Sequence, residues 1–385
     1  MKKALYLAFL TLFISFFFIH NAIAQEKKEE KKEFKPKFGG YIETWYLSDS
    51  SDLSATGVDS LFGVRRARIS AAGSVSDLVS YKIQAAFDNS LASTTTGDPK
   101  TTGTVKLWDA AVDLNFHPLI LLKAGLFKTP FTLEGLEGTP ARPLILRAES
   151  INAIAGTLGA NPKTRSDTAG GEGFRDVGLQ IAGSYKEAIG LNYAIALVNG
   201  DGINNIDNNN KKDIVARATV APIEGLSLGG SAFRGSAENQ GALSQDEAAY
   251  GLEAEYIQKA IGLGIRAEYI TAKWEHFDVS TGKPASGKDQ EPNGWYLQAG
   301  YKIPPLPVLE ILGRYEWYEV DKNTANSKLK TTTLGLLYNF TGKTNLRLNY
   351  LMRDPDSSSA VAAQGSAAKG DKIGNMLLLS LLVAF

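Results

Sequence analysis

Arg66 and Arg68 stand two residues apart in a segment whose alternate positions are Ala67, Ile69 and Ala71. On an extended strand this spacing puts both guanidinium groups on one face and the apolar side chains on the other. The same parity assigns Lys82, Lys123, Arg217, Arg266, Arg314 and Arg347 to the polar faces of their segments, alongside Glu253, Glu255 and Glu268. Fixed charges arranged this way attract, repel and steer ions, which is electrostatic work and not bond-making. Each basic residue also has an ordinary reading, as an inward charge paired with an acid. Asp109, Asp113, Asp176, Glu310 and Glu316 share the same parity.

Groups able to make or break bonds are scarce. The chain has no cysteine and three histidines: His20 near the N-terminus, His117 before a proline, and His276 at the start of a polar link. No segment sets a serine in a predictable relation to a histidine and an aspartate, and such triads are defined by geometry. The stretch from Asp201 to Asp213 is rich in Asn and Asp and could hold calcium. It lacks the Asp-x-[Asp/Asn]-x-[Asp/Asn]-Gly loop followed by Glu, so a solvated loop is the simpler reading. Neither catalysis, a metal nor a cofactor is expected.

The elements that carry these charges read as strands. From Phe38 onward the hydropathy has period two, most cleanly at Val79, Tyr81, Ile83, Ala85 and Phe87, interleaved with Ser80, Lys82, Gln84, Ala86 and Asp88. Trp108, Ala110, Val112, Leu114 and Phe116 likewise form an apolar face against Asp109 and Asp113. Sixteen such segments are expected, near 39–48, 62–74, 78–88, 103–116, 119–128, 173–185, 190–199, 211–221, 226–235, 247–258, 262–275, 293–303, 307–319, 330–341, 344–353 and 372–385. About ten tilted residues cross an apolar band of about 25 Å. The links between segments alternate strictly between long and short, the pattern of an up-and-down barrel with one elaborated rim. An all-β, transmembrane antiparallel barrel of about sixteen strands follows. A lysine or arginine facing lipid at mid-bilayer costs about 2–4 kcal/mol, so eight basic residues on the polar parity argue for a wet interior.

The expected organisation is a signal peptide (1–24), a charged periplasmic leader (25–37) and the barrel (38–385). Lys2 and Lys3, the apolar run from Ala4 to Ile19, and Ala22-Ile23-Ala24 make up the three parts of an export signal cleaved after Ala24. Its removal leaves 39 of the 41 basic residues against 41 acidic ones. That balance gives no footprint for nucleic acid. The chain ends in an apolar strand closed by Phe385, resembling the signal by which outer-membrane barrels engage their assembly machinery. Leu377, Leu379, Leu381, Val383 and Phe385 would face lipid. Leu378 and Leu382 then point inward, toward the leader or a loop lying inside.

The long link 129–172 is third among eight and is the constriction candidate, a structureless stretch of unusual length for a compact fold. It carries Arg142, Arg147, Lys163 and Arg165 against Glu134, Glu137, Glu149, Asp167 and Glu172. By composition it is no anion trap. The cluster Arg66, Arg68, Lys82 and Lys123 on the second, third and fifth segments would supply attraction from the wall. Glu253, Glu255 and Glu268 on the tenth and eleventh would supply the opposite pole.

Several motifs resemble the phosphate-selective porin O and P family. They are Arg65-Arg66-Ala67-Arg68, Gly125-Leu-Phe-Lys-Thr-Pro-Phe-Thr-Leu-Glu134, Arg175-Asp-Val-Gly-Leu-Gln180 and Asn192-Tyr-Ala194 leading to Val198-Asn-Gly-Asp-Gly-Ile-Asn204. Asp207-Asn208-Asn209 with Lys212-Asp213, Gly294-Trp-Tyr-Leu-Gln-Ala-Gly-Tyr301 and Arg314-Tyr315-Glu316 extend the likeness over most of the chain. The resemblance implies a trimeric outer-membrane channel in a Gram-negative-type bacterium, with the third extracellular loop folded inward. It also implies arginines and lysines that draw anions such as phosphate to the narrow zone. The expected function is passive diffusion of small hydrophilic solutes with a mild anion preference. A general or weakly cation-selective porin, and a non-conducting structural or adhesive barrel, remain alternatives.

Overall fold

The structure, a computed structural model, describes residues 35–50, 60–88, 105–158, 174–187, 189–203, 207, 211–237, 245–275, 277–278, 283–284, 289–341, 343–356 and 374–385. The expected signal peptide and most of the leader, 1–34, lie outside them. So do Lys163, Arg165, Asp167 and Glu172.

Sixteen strands close into one antiparallel barrel in which every strand pairs with its sequence neighbours and the last pairs with the first. They are β1 (Lys37–Asp49), β2 (Ser60–Ser74), β3 (Val79–Ala86), β4 (Lys106–His117), β5 (Ile120–Lys128), β6 (Arg175–Tyr185), β7 (Leu191–Val198) and β8 (Asp213–Ile223). The circuit continues with β9 (Leu226–Ala237), β10 (Gln245–Gln258), β11 (Leu263–Trp274), β12 (Asn293–Lys302), β13 (Leu309–Glu319), β14 (Lys328–Thr341), β15 (Thr344–Pro355) and β16 (Met376–Ala384). A two-residue ladder, Phe277–Asp278 with Lys283–Pro284, sits in the link between β11 and β12. Closure leaves no free sheet edge, a requirement for strands surrounded by hydrocarbon. At the seam Gly40 and Phe385 exchange backbone hydrogen bonds of 2.9 and 3.0 Å. A Cβ at Gly40 would collide with the Phe385 ring and the Arg68 carbonyl, so this position accommodates the terminal phenylalanine.

Alternation divides the side chains as the period-two pattern requires. Ile69, Leu252 and Leu297 are at least half exposed on the outer face, whereas Arg66, Arg68, Glu268, Arg314 and Arg347 are buried. Leu377, Leu379, Leu381 and Val383 face outward, and Leu378 and Leu382 are fully buried. Leu378 packs with Ile145 of the link after β5, which accounts for the first of these inward leucines.

Of the five register shifts among the described strands, three lie at strand ends beside turns and two redirect side chains within the wall. Between β1 and β2, Glu43 pairs with Arg66 and Thr44 with Val64, leaving Arg65 as the extra residue. Between β3 and β4, Gln84 pairs with Asp109 and Ala85 with Leu107, leaving Trp108 as the extra residue. A bulge turns two consecutive side chains to one side. Arg65 therefore joins Arg66 on the inner face. Trp108, expected on the lipid face, is 3 % exposed and packs inward with Leu126.

The described part of the third long link, 129–158, lies against the inner wall. It contains one helical turn, α1 (Leu133–Leu136), a 3-10 turn at Thr139–Ala141 and a π-helical turn at Ile151–Ala155. Phe131, Ala148, Ile151, Ile154 and Leu158 share an apolar cluster with Phe233, Ile270, Trp274, Tyr296 and Tyr318 of β9, β11, β12 and β13. Ile151 and Ile154 are completely buried, and each such side chain contributes about 1.5–3 kcal/mol to docking. Gly125 precedes this link with φ 121, and a Cβ there would overlap the Ala110 carbonyl. The turn after β7 is fixed by Asp176, whose carboxylate accepts from Gly200 N at 2.7 Å and Gly202 N at 3.3 Å. The Arg-Asp-Val-Gly and Val-Asn-Gly-Asp-Gly motifs are thus one structural unit.

Candidate functional site

The strands β1–β8 and the described part of the loop line a cavity of about 890 Å³. It runs from residues beside the short turns (Pro118, Ser184, Lys343 and Phe385) to the loop residues Lys128, Glu137, Thr139, Pro140 and Arg147. All four members of the expected cluster line it: Arg66, Arg68, Lys82 and Lys123. Lys128, Arg147, Arg175, Arg217 and Lys343 bring the basic side chains to nine, against Asp109, Asp113 and Glu137.

Each member of the cluster has an acidic partner, as the ordinary reading anticipates. Arg66 lies 3.6 Å from both Glu43 and Asp88. Arg68 is bidentate on Asp88. Lys82 reaches Asp109 at 2.7 Å, and Lys123 lies 3.5 Å from Asp113. Arg217 binds Glu253, with Nε donating at 3.0 Å. The acids holding Arg66, Arg68 and Arg217 do not line the cavity, so the guanidinium groups face the opening and their counter-charges stand outside its lining.

Trp108 organises this wall. The guanidinium of Arg68 lies 3.7 Å from its ring centre and that of Arg175 lies 4.6 Å away. Asp109 then ties Arg175 to Lys82, accepting from Arg175 Nε at 2.9 Å. Cation–π contacts of this kind contribute about 0.5–2 kcal/mol and hold long side chains in one orientation.

The loop is fastened by the charges expected to form an opposing acidic pole. Glu268 accepts from Leu133 N at 2.7 Å, Glu134 N at 2.9 Å and the Tyr296 hydroxyl at 2.7 Å. Arg266 spans Glu137 and Glu255, both at 2.7 Å. Arg314 binds Glu316 at 2.6 Å and Glu134 at 3.1 Å. Arg347 donates to the carbonyls of Thr139 and Arg142 and to Glu43. Glu149 joins through its backbone N–H, which Glu316 accepts at 2.6 Å. Arg147 donates to the carbonyls of Glu134 and Glu137 and stacks on Phe174. Glu253, Glu255 and Glu268, expected to supply the opposite pole, are therefore engaged with cations or loop N–H groups. The reason is local: orphan N–H groups at a buried turn demand acceptors, and carboxylates supply them.

Sequence parity brought Arg66, Arg68, Lys82 and Lys123 to one face but missed Arg65, Trp108, Lys128 and Arg175. The first two are the bulge residues. Lys128 is the last residue of β5, and its Nζ donates to the carbonyls of Gly135, Leu136 and Glu137, closing the end of α1. Its place inside the Phe-Lys-Thr-Pro-Phe motif was the available signal. No group of three or more His, Cys, Asp or Glu suited to a metal occurs among the described residues.

A sequence profile described as Phosphate-selective porin O and P matches residues 49–242, just over half of the chain. The chain belongs to that family. A second profile, of OmpL-like β-barrel porins (porin-2), matches residues 174–385. The two together span 49–385 and cover all the motifs named above. Comparison with curated proteins gives no match.

Solved structures share the fold. OmpF of Salmonella typhi, in complex with daunomycin, superposes with a TM-score of 0.60 at 13 % identity, covering 93 % of this chain and all of that one. The outer membrane channel DcaP of Acinetobacter baumannii gives 0.58 at 14 % identity, covering 93 % of this chain and 99 % of that one. In-vitro folded OmpT of Vibrio cholerae, in its trimer form, gives 0.56 at 12 % identity over 92 % of this chain and all of that one. At such identities the likeness is one of architecture: a porin-type outer-membrane barrel.

Proposed function

We propose that this porin is a passive diffusion channel for small hydrophilic solutes, with a mild preference for anions, phosphate among them. The observation carrying the reading is the surplus of nine basic over three acidic side chains around the cavity. A low-dielectric wall focuses such a field on the lumen. In this reading the link 129–172 narrows the passage, and Arg66, Arg68, Lys82 and Lys123 draw anions toward it. Their pairing with Glu43, Asp88, Asp109 and Asp113 keeps the attraction weak enough for exit, which conduction requires. The protein carries no catalytic role. It is exported with cleavage after Ala24, inserted through the strand ending at Phe385 and assembled as a homotrimer.

Reversal potentials of the purified protein in a planar bilayer under a KCl gradient test this. Chloride preference is expected, and it should fall in the double variant Arg66→Ala/Arg68→Ala without loss of assembly. Cation preference in the parent protein would overturn the reading. The competing reading is a non-conducting barrel, favoured by the apolar cluster that joins the loop to β9–β13. A bilayer that stays silent would support it.

A further inference from the structure

We propose that Arg65, Arg66, Arg142 and Arg347, gathered around Glu43 between the loop and the wall, hold a compact inorganic anion that secures the loop and does not permeate. Glu43 is completely buried and serves three guanidinium groups: Arg65 at 2.9 Å, Arg347 at 3.4 Å and Arg66 at 3.6 Å. It also accepts from the Ser380 hydroxyl at 2.9 Å. Arg142, reaching in from the loop, is the fourth cation. It is 2 % exposed, and none of its three side-chain nitrogens has a hydrogen-bond partner. The Nε atoms of Arg66 and Arg347 are likewise buried without a hydrogen-bond partner.

A guanidinium group keeps its proton inside proteins, so a buried one needs a counter-charge as well as acceptors. Water can fill the acceptor role but supplies no charge. Burial first, and Arg66 next, push the Arg142 pKa down from its ordinary value, while Glu134, Glu43 and Glu137 pull it up. Those three acids are already committed elsewhere. Glu134 binds Arg314 and Ala148 N, Glu137 binds Arg266, and Glu43 serves the other arginines. An anion at this point adds both the missing charge and the missing acceptors. Arg65, Arg142, Arg347 and Glu43 do not line the cavity, whereas Arg66 does, so the site lies beside the pore with Arg66 at its mouth.

The test is thermal unfolding of the purified protein in detergent, with sodium gluconate replaced stepwise by chloride or bromide at constant ionic strength. A saturable rise in midpoint of roughly 2–4 °C is expected, as for any ligand bound by the folded state alone. Arg142→Met should abolish the rise, and crystals grown in bromide should show anomalous scattering beside Arg142. If the variant does not fold, the titration and the bromide crystals decide. A midpoint indifferent to the anion overturns the proposal, meaning that water or the unpartnered Glu137 Oε2 satisfies Arg142. A larger rise with phosphate than with chloride overturns the compact-anion assignment in favour of an oxyanion. Neither result bears on the reversal potential, so permeation stands or falls separately.

Discussion

The Glu268 carboxylate accepts the backbone N–H of Glu134 at 2.9 Å and fixes the first turn of the loop to strand β11. Its second oxygen takes the N–H of Leu133 at 2.7 Å. Helical turns leave such N–H groups without internal partners, and here the barrel wall supplies the acceptor. Glu268→Ala would strand two N–H groups and the Tyr296 hydroxyl, each at a cost of about 1–3 kcal/mol. The expected outcome is a lower unfolding midpoint together with larger, noisier single-channel currents. Glu268→Gln should recover part of both. Conductance unchanged in the alanine variant would show that the loop does not limit current.

Asp109 divides its oxygens between Lys82 at 2.7 Å and Arg175 at 2.9 Å, and it lines the cavity. Asp109→Asn keeps the shape and removes the charge that restrains both cations. The reversal potential in a KCl gradient should move further toward chloride. Movement toward potassium would mean that the two basic residues turn away from the lumen once released.

Ionic strength discriminates a field from a binding site. The screening length is about 10 Å at 0.1 M salt and about 3 Å at 1 M. Selectivity arising from the summed wall charge should therefore weaken markedly between those concentrations at a fixed gradient ratio. Selectivity that stays constant would point to direct coordination of the ion at a single place.

Glu137 should give the channel a pH dependence whose sign follows from its surroundings. Burial, the largest influence, raises its pKa and Glu134 adds to the rise, while Arg266 opposes it. As pH falls, Glu137 therefore loses its charge earlier than an ordinary glutamate, whose pKa is about 4.3. The cavity then gains one unit of positive charge, and Arg266 retains only Glu255. Anion preference should increase on acidification, with a midpoint above the ordinary glutamate range. Glu137→Gln should show the acid-side preference throughout, and a titration identical in that variant would assign the effect to another group.

Period-two hydropathy was enough to find all sixteen strands, because one face meets lipid and the other meets water or buried polar groups. It failed where the backbone inserts a residue. Arg65 and Trp108 both occupy bulges, and nothing in the local alternation marks the extra residue. The basic wall was legible for the same reason as the strands: charge on the lipid face is too costly. The role of Glu253, Glu255 and Glu268 was not, because their partners lie far away in sequence. Glu268 meets Glu134 across a separation of 134 residues, and Arg217 meets Glu253 across 36. The loop's composition argues against its being an anion trap. It could not reveal that its acids and backbone N–H groups are spent on docking.

The apolar cluster binding Ile151 and Ile154 to β9–β13 gives the barrel two circumferential sectors with separate duties. One sector is a foundation, where the loop is moored and substitutions are read out as instability. The other is a filter of lining side chains such as Lys82, Lys123 and Arg217, whose ion pairs are with acids of the wall and which can be exchanged with little disturbance to the mooring. Variation in permeant solute among related barrels should therefore accumulate at those lining positions, and an engineer wishing to retune the pore should begin there.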